Sequence, residues 1–457
     1  MKYDVIAENS DSTVVSDYVS PYQRATSYQS EAELEQELVK QLQTQAYEYL
    51  PIKSEIDLID NLRTQLEKLN DYTFTDAEWK RFFAERIANG NENIADKTFK
   101  IQEDSTQLLQ RDNGEVINIR LLDKTNIHKN CLQVINQYEV SGARDNRYDV
   151  TLLVNGLPLV HIELKRRGVP LKEAFSQINR YQRDSFWAGS GLFEYVQLFV
   201  ISNGTYTKYY SNTTRWQHIN EAGKSDSHRS KKTSHSFEFT SWWADANNHP
   251  IADLIDFTAT FLSKHTLLNV LTKYCVFTSD KLLLVMRPYQ IVATERILNR
   301  IQIATNYKKL GTIEAGGYVW HTTGSGKTLT SFKTAQLASK LDYIDKVLFV
   351  VDRKDLGYQT MKEYDKFQEG AANSNTSTRV LTRQLGDSNA KIIITTIQKL
   401  DTFIKRNQGH KAFGDHMVII FDECHRSQFG DMHHAITKSF RNYHLFGFTG
   451  TPIFADN

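Results

Sequence analysis

The chain has 457 residues, a formal net charge of +1, 40% hydrophobic and 24% charged residues. That is an ordinary globular composition, and its length exceeds what one core serves, about 250 to 300 residues. Near-neutral charge confines any nucleic-acid-binding surface to a local patch, and no apolar run approaches the roughly 20 residues of a membrane span.

Residues 1 to 29 read as a polar arm with little pattern. Ser30-Glu-Ala-Glu33 is a capping box that opens a helix through about Tyr47. Helical periodicity continues over 55–69 and 76–88. Strand signals follow at 116–122, 147–154, 159–165 and 195–201, with a helix over about 171–186. Residues 215–236 are almost devoid of apolar side chains and read as a polar insertion. The expected domain boundary lies near residue 258, giving one domain over 1–258 and another over 259–457. In the second, helix 290–303 precedes strand 317–321, helix 327–341 and strands 346–351, 391–396, 417–422 and 445–449. Short apolar strands separated by helices predict a parallel sheet covered on both faces. The three cysteines, Cys131, Cys275 and Cys424, show neither metal-ligand spacing nor a disulfide framework, which fits a reducing cytoplasm.

Two segments carry chemistry. Residues 146–166 read as a hairpin around Asn155-Gly156. Val150, Leu152 and Val154 line one face of its first strand, and Val160, Ile162 and Leu164 line one face of its second. Pairing these apolar faces fixes the register parity, which puts Asp149 on the same side as His161, Glu163 and Lys165. Two carboxylates can hold Mg2+, which activates water for phosphodiester hydrolysis, and a lysine can stabilise the developing charge. The following helix carries Gln177 and Tyr181 four residues apart on one face. Basic residues at Lys165-Arg166-Arg167 could meet phosphates.

The second segment is His321-Thr-Thr323-Gly324-Ser325-Gly326-Lys327-Thr328, between an apolar strand and a helix. Glycines let backbone N–H groups approach phosphates, Lys327 neutralises them, and the Thr328 hydroxyl suits Mg2+. About a hundred residues on, Val418-Ile-Ile-Phe421 ends in Asp422 and Glu423. Asp422 there would share the Mg2+ of ATP, and Glu423 would orient the attacking water.

These residues resemble known families. Asp422-Glu423-Cys424-His425 resembles the D-E-x-H motif of superfamily 2 helicases and translocases. Arg287-Pro-Tyr-Gln290 is similar to their adenine-reading motif. Val350-Val-Asp-Arg353 and Thr395-Thr396-Ile-Gln398 are similar to their DNA-backbone motifs. Thr449-Gly450-Thr451-Pro452 is similar to the motif coupling hydrolysis to movement. One departure is His321, where the phosphate loop usually opens on glycine. Asp149 followed by Glu163-x-Lys165 resembles the PD-(D/E)xK nuclease core, with Tyr148 in place of the usual proline. Gln177-x-x-x-Tyr181 resembles the accessory motif of RecB-type nucleases, which helps hold DNA and the metal site.

A nuclease placed before a superfamily 2 motor resembles the restriction (R) subunit of type I restriction-modification enzymes. The resemblance implies a mixed-sheet PD-(D/E)xK domain followed by one RecA-like α/β domain. It implies ATP and Mg2+ as cofactors, duplex DNA as substrate, and modification and specificity subunits as partners. The chain reaches Asn457 without the second RecA-like lobe such motors carry, so residues 1–457 alone are expected to lack efficient ATPase, an arginine finger being worth about 10³ to 10⁵ in rate. A DNA repair helicase-nuclease working without a methyltransferase is the alternative reading.

Overall fold

The computed structural model describes residues 18–22, 29–141, 145–214, 236–322, 324–351, 354–367, 373–422 and 428–450. Of the sequence-derived expectations, residues 215–235 of the polar insertion and Thr323, Arg353, Glu423 and Thr451 lie outside them. Two compact units are formed. One runs through Phe277 and takes in Lys281–Arg287; the other takes in Thr278–Asp280 and continues from Pro288.

The first unit contains strands β1 (Glu48–Tyr49), β2 (Thr106–Gln110), β3 (Val116–Arg120), β4 (Leu132–Ser141), β5 (Asp145–Val154), β6 (Leu157–Leu164), β7 (Leu198–Ser202), β8 (Thr207–Ser211), β9 (Cys275–Phe277) and β10 (Leu283–Val285). Its main sheet has the order β1-β4-β5-β6-β7-β8. β6 and β7 run parallel, whereas β4, β5 and β6 are antiparallel neighbours. The helix Leu171–Asp184 makes the crossover from β6 to β7 and buries Ala174, Phe175, Ile178 and Tyr181. The capping box forms: Ser30 Oγ accepts from the Glu33 N–H at 3.3 Å, and Glu33 Oε2 accepts from the Ser30 N–H at 2.8 Å. The helix it starts spans Glu31–Thr44. Helices Leu254–Thr260 and Lys264–Thr272 carry this unit past residue 258. The Phe261 ring, between them, packs 4.7 Å from Tyr209 and 5.1 Å from Trp243.

The β5–β6 hairpin turns at Asn155 (φ 52°) and Gly156 (φ 83°), both left-handed, as a type I′ turn needs. A tight turn pairs Val154 with Leu157, and continued regularly it would set Val150 opposite His161. The observed ladder instead pairs Val150 with Ile162 and Leu152 with Val160, because the register shifts by one residue at Leu159. This β-bulge is what lets a two-residue turn and matched apolar faces coexist. A Cβ on Gly156 would lie 2.6 Å from the Leu62 backbone, in the helix Glu55–Asn70. Gly156→Ala should therefore cost roughly 2–4 kcal/mol, from left-handed strain plus overpacking. Denaturant unfolding of the variant checks this, and an unchanged midpoint would refute it.

The second unit holds β11 (Gly316–Trp320), β12 (Lys346–Val351), β13 (Asn373–Ser374), β14 (Ile392–Thr396), β15 (Met417–Asp422) and β16 (Tyr443–Thr449). They form one sheet in the order β11-β16-β15-β12-β14-β13, with every pairing parallel. β12, β14 and β15 are buried along almost their whole length. Helix Ile397–Arg406 lies on the sheet through Leu400 and Phe403, which join Leu348, Ile393 and Ile419 in one apolar cluster. This is the α/β architecture expected of a RecA-like domain.

Candidate active site

In the first unit, β5 and β6 bring Asp149, Glu163 and Lys165 together. Asp149 Oδ2 accepts from the Leu164 N–H at 2.9 Å, which ties the first carboxylate across the hairpin to the second strand. Lys165 Nζ lies 3.3 Å from Glu163 Oε1 and donates to the Leu164 carbonyl at 2.9 Å. Glu163 is fully buried, and its Oε2 has no hydrogen-bond partner. A buried carboxylate oxygen without a donor is costly, and a cation is the natural remedy. Burial, and then the neighbouring Glu163 charge, push Asp149 up to about 7. Burial also pushes Glu163 up to about 7, against the pull of Lys165. The pair thus fits a divalent cation by donor chemistry, although no group of three or more His, Cys, Asp or Glu side chains is gathered for one among the described residues.

His161 is fully buried and packs against the rings of Tyr148, Tyr181, Phe186 and Phe199. Its Nδ1 is 3.2 Å from Thr151 Oγ1, and its Nε2 is 3.4 Å from Glu163 Oε2 without forming a hydrogen bond. Burial lowers this imidazole to about 4, so it is a neutral wall of the site. Gln177 Nε2 donates to Tyr181 Oη, which donates to the Arg147 carbonyl at 3.0 Å, two residues before Asp149. Tyr181 is buried, so this pair braces β5 beside the carboxylate. Arg167 turns inward instead of toward solvent: its Nε donates to Gln29 Oε1 at 2.7 Å, and one terminal nitrogen donates to Thr205 Oγ1 at 3.0 Å. Glu31, whose Oε1 is 3.9 Å from Lys165 Nζ, has no signal in the sequence. It arrives on a helix more than a hundred residues upstream.

These shifts carry a pH dependence with a definite sign. The two carboxylates bind protons more tightly folded than unfolded (unfolded values about 4). Their contribution to stability is therefore full below about 4 and is lost as pH rises through about 7. His161 acts oppositely, because its contribution is lost as pH falls through about 4, but it is flat above its unfolded value of about 6.5. Between about pH 6.5 and 8 only the carboxylates act. A divalent cation competes with their protons, so the Mg2+-induced rise in melting midpoint should be larger at pH 8 than at pH 6. Asp149→Asn should remove the difference. An equal Mg2+ effect at both pH values would refute the cation-binding pair.

In the second unit, the carboxyl ends of β11, β14, β15 and β16 share one edge of the sheet, where parallel α/β folds bind ligands. The loop after β11 contains Gly324 (φ 80°) and Gly326 (φ 79°), and helix Lys327–Ala338 starts directly after Gly326. Gln290 is buried, and its Nε2 donates to the Ser325 carbonyl at 3.0 Å. Tyr289 Oη donates to the same carbonyl at 2.8 Å. A Cβ on Gly326 would meet Gln290 Nε2 at 2.5 Å. His321, in place of the usual leading glycine, stands with its ring edge-on to Tyr289, centroids 5.2 Å apart, and burial followed by the Lys327 charge lowers its pKa. Asp422 ends β15, which is separated from β11 by β16 alone. Two strand spacings put it roughly 10 Å from the loop's strand, a span that a nucleotide's phosphates and cation can bridge. Thr328 lies in the first turn of the helix. Arg287 is exposed and belongs to the first compact unit. Thr395 and Thr396 are buried; Thr395 Oγ1 donates to Asn375 Oδ1 at 3.1 Å, and Thr396 caps helix Ile397–Arg406. Thr449 is buried at the end of β16, and its carbonyl accepts from the His321 N–H at 3.0 Å. Gly450 follows it at the same edge.

Comparison with known proteins adds independent findings. Residues 28–218 match the family model "Type I restriction enzyme R protein N terminus", and residues 289–457 match "SWI2/SNF2 ATPase". The chain is 41% identical over 440 residues to the type I restriction enzyme SsaAORF53P endonuclease subunit of Staphylococcus saprophyticus, covering 94% of this chain and 43% of that one. It is 47% identical over 306 residues to the type I restriction enzyme EcoprrI endonuclease subunit of Escherichia coli, covering 67% of this chain and 93% of that one. The chain therefore spans less than half the length of the staphylococcal relative. Among solved structures, the SWI2/SNF2 ATPase core of Sulfolobus solfataricus aligns over 40% of this chain and 34% of that one, at 21% identity and a TM-score of 0.28.

Proposed function

Starting from the fact that this chain belongs to the R-subunit family of type I restriction enzymes, we propose that it forms the DNA-cutting centre and the first motor lobe of such an enzyme. The observation that carries the cutting role is half-buried Asp149 beside fully buried Glu163, which has an unbonded oxygen and Lys165 Nζ 3.3 Å from its other one. Asp149 and Glu163 would hold Mg2+, which supplies a Lewis acid for the phosphodiester and a more acidic water. Lys165, held between Glu163 and the Leu164 carbonyl, would place its ammonium where the attacked phosphate gains negative charge. Gln177 and Tyr181 keep β5 from shifting under this load. The endonuclease domain would occupy the N-terminal part, and the RecA-like domain would begin near Pro288.

In the motor lobe, the loop Thr323–Thr328 would cradle ATP phosphates. Lys327 would neutralise them, Thr328 and Asp422 would share the Mg2+, and Glu423 would orient water. Arg287 and Gln290 would border the base. Arg353, Thr395, Thr396, Thr449, Gly450 and Thr451 would link the nucleotide site to the DNA track. Their buried positions suit Thr395, Thr396 and Thr449 to coupling rather than to direct phosphate contact. The enzyme would act in the cytoplasm; no helix among the described residues is long and apolar enough to cross a membrane.

The test is to purify the full-length protein gently from its own cells and identify what accompanies it. Stoichiometric modification and specificity chains, and cutting of unmethylated circular DNA only with ATP and Mg2+ together, are expected. A protein that comes alone, or cuts without ATP, would overturn the reading.

A further inference from the structure

An open groove of about 550 Å3 lies beside the nuclease cluster, and Lys165 forms part of its wall. The rest of the lining includes Lys172, Glu173, Ser176, Gln177 and Arg180 from the helix Leu171–Asp184. Lys172, Ser176 and Arg180 are spaced by four, so they lie along one face of that helix, and all three are exposed. Three cations face one carboxylate, Glu173. Neither Lys172 nor Arg180 is in an ion pair among the described residues, unlike neighbouring Arg167 and Arg183, which pair with Asp253 and Asp184. The Arg180 guanidinium rests 5.5 Å over the Tyr181 ring, which holds its stem in place while its N–H groups stay at the surface. No side chain caps the helix at Pro170, so its first-turn amides add partial positive charge at the same end.

Resting on the reading of Asp149, Glu163 and Lys165 as a nuclease centre, we propose that this groove seats the sugar-phosphate backbone of duplex DNA next to the bond to be cut. Lys172 and Arg180 are the positioning cations, and Ser176 supplies a neutral hydrogen bond of the kind that fixes register on a duplex. From Lys172 to Arg180 the helix rises roughly 12 Å, the axial length of about three to four phosphates of one strand at ~3.4 Å each. A strand lying there runs directly onto Lys165, which touches both the groove and Glu163. This continuity favours nucleic acid over an acidic protein segment, because only nucleic acid is consumed at that end.

The test uses the full-length subunit assembled with its modification and specificity chains. The double variant Lys172→Gln with Arg180→Gln should lower cutting of unmethylated circular DNA at least tenfold at about 0.15 M salt, with ATP turnover during translocation unchanged. The defect should narrow as salt is lowered, and the slope of log rate against log salt should become shallower by about 2, one phosphate contact per lost cation. Lys172→Arg with Arg180→Lys should restore cutting; if it cuts no better than the double Gln variant, charge is not what matters and the proposal falls. It falls equally if the double Gln variant cuts like the native enzyme at every salt concentration while Glu163→Gln is inactive. If Glu163→Gln itself still cuts, the underlying nuclease reading is what fails.

Discussion

Glu163→Gln is expected to abolish DNA cutting by the assembled enzyme, by on the order of 10³-fold or more, and to leave ATP turnover intact. The side chain keeps its size, so the fully buried site has no cavity to fill. What goes is a charge that burial already holds up to about 7. Without a cation, that carboxylate is a burden on the fold: its Oε2 accepts no hydrogen bond, and its charge raises the pKa of Asp149. Removing the charge should therefore leave the melting midpoint of the metal-free protein unchanged or higher. Loss of cutting without loss of stability separates a chemical role from a structural one. Plasmid linearisation and thermal unfolding, run on the same preparation, read both. Retained cutting would remove the nuclease assignment from this hairpin.

Lys327→Ala is expected to abolish both ATP turnover and cutting. Lys327 is the first residue of its helix, directly after Gly326 in the left-handed region, where backbone amides and the lysine charge converge on one point. Removing a preorganised charge of this kind costs on the order of 10²–10³-fold in rate. Cutting should fail with it if, as proposed, the motor brings DNA to the nuclease. ATP hydrolysis and cleavage of circular DNA, measured in parallel, check this. Cutting at the native rate by a protein that no longer hydrolyses ATP would show that the two centres are not coupled in this way.

Much of this arrangement was legible in the sequence, for local reasons. Asn155-Gly156 dictates a left-handed turn, and alternation of Val150, Leu152, Ile162 and Leu164 dictates the buried face. Strands β12 and β15 are continuous apolar runs, and the phosphate loop announces itself by glycine and lysine. The rest depends on partners distant in the chain. β4 is ten residues long and central to its sheet, yet it carries Gln133, Asn136 and Gln137. These polar groups are met by Glu48, Asn61 and Glu35 on other elements; Leu132, Val134, Tyr138 and Val140 do alternate, but Ile135 and Asn136 interrupt the pattern at mid-strand. Gly156 serves close helix packing as well as a turn, which only the approach of Leu62 discloses. The burial of Thr395 and Thr396 follows from β14 being flanked by strands on both sides. The groove cations Lys172 and Arg180 look like any solvated helix face until Lys165 is found at its end.

The extra residue at Leu159 ties two lengths of chain together. Thirteen residues, 150–162, separate Asp149 from Glu163, one more than a two-residue turn and a smooth ladder accommodate, and Leu159 takes up the surplus. Were Leu159 taken into a smooth ladder, Ile162 would stand opposite Asp149 and Glu163 would turn to the other side of the sheet; deleting Leu159 instead leaves a smooth ladder that still pairs Asp149 with Glu163. A third turn residue would take up the same surplus without a bulge. Among relatives, then, thirteen residues between the two carboxylates should go with either a bulge or a three-residue turn, and twelve with a two-residue turn and a smooth β6.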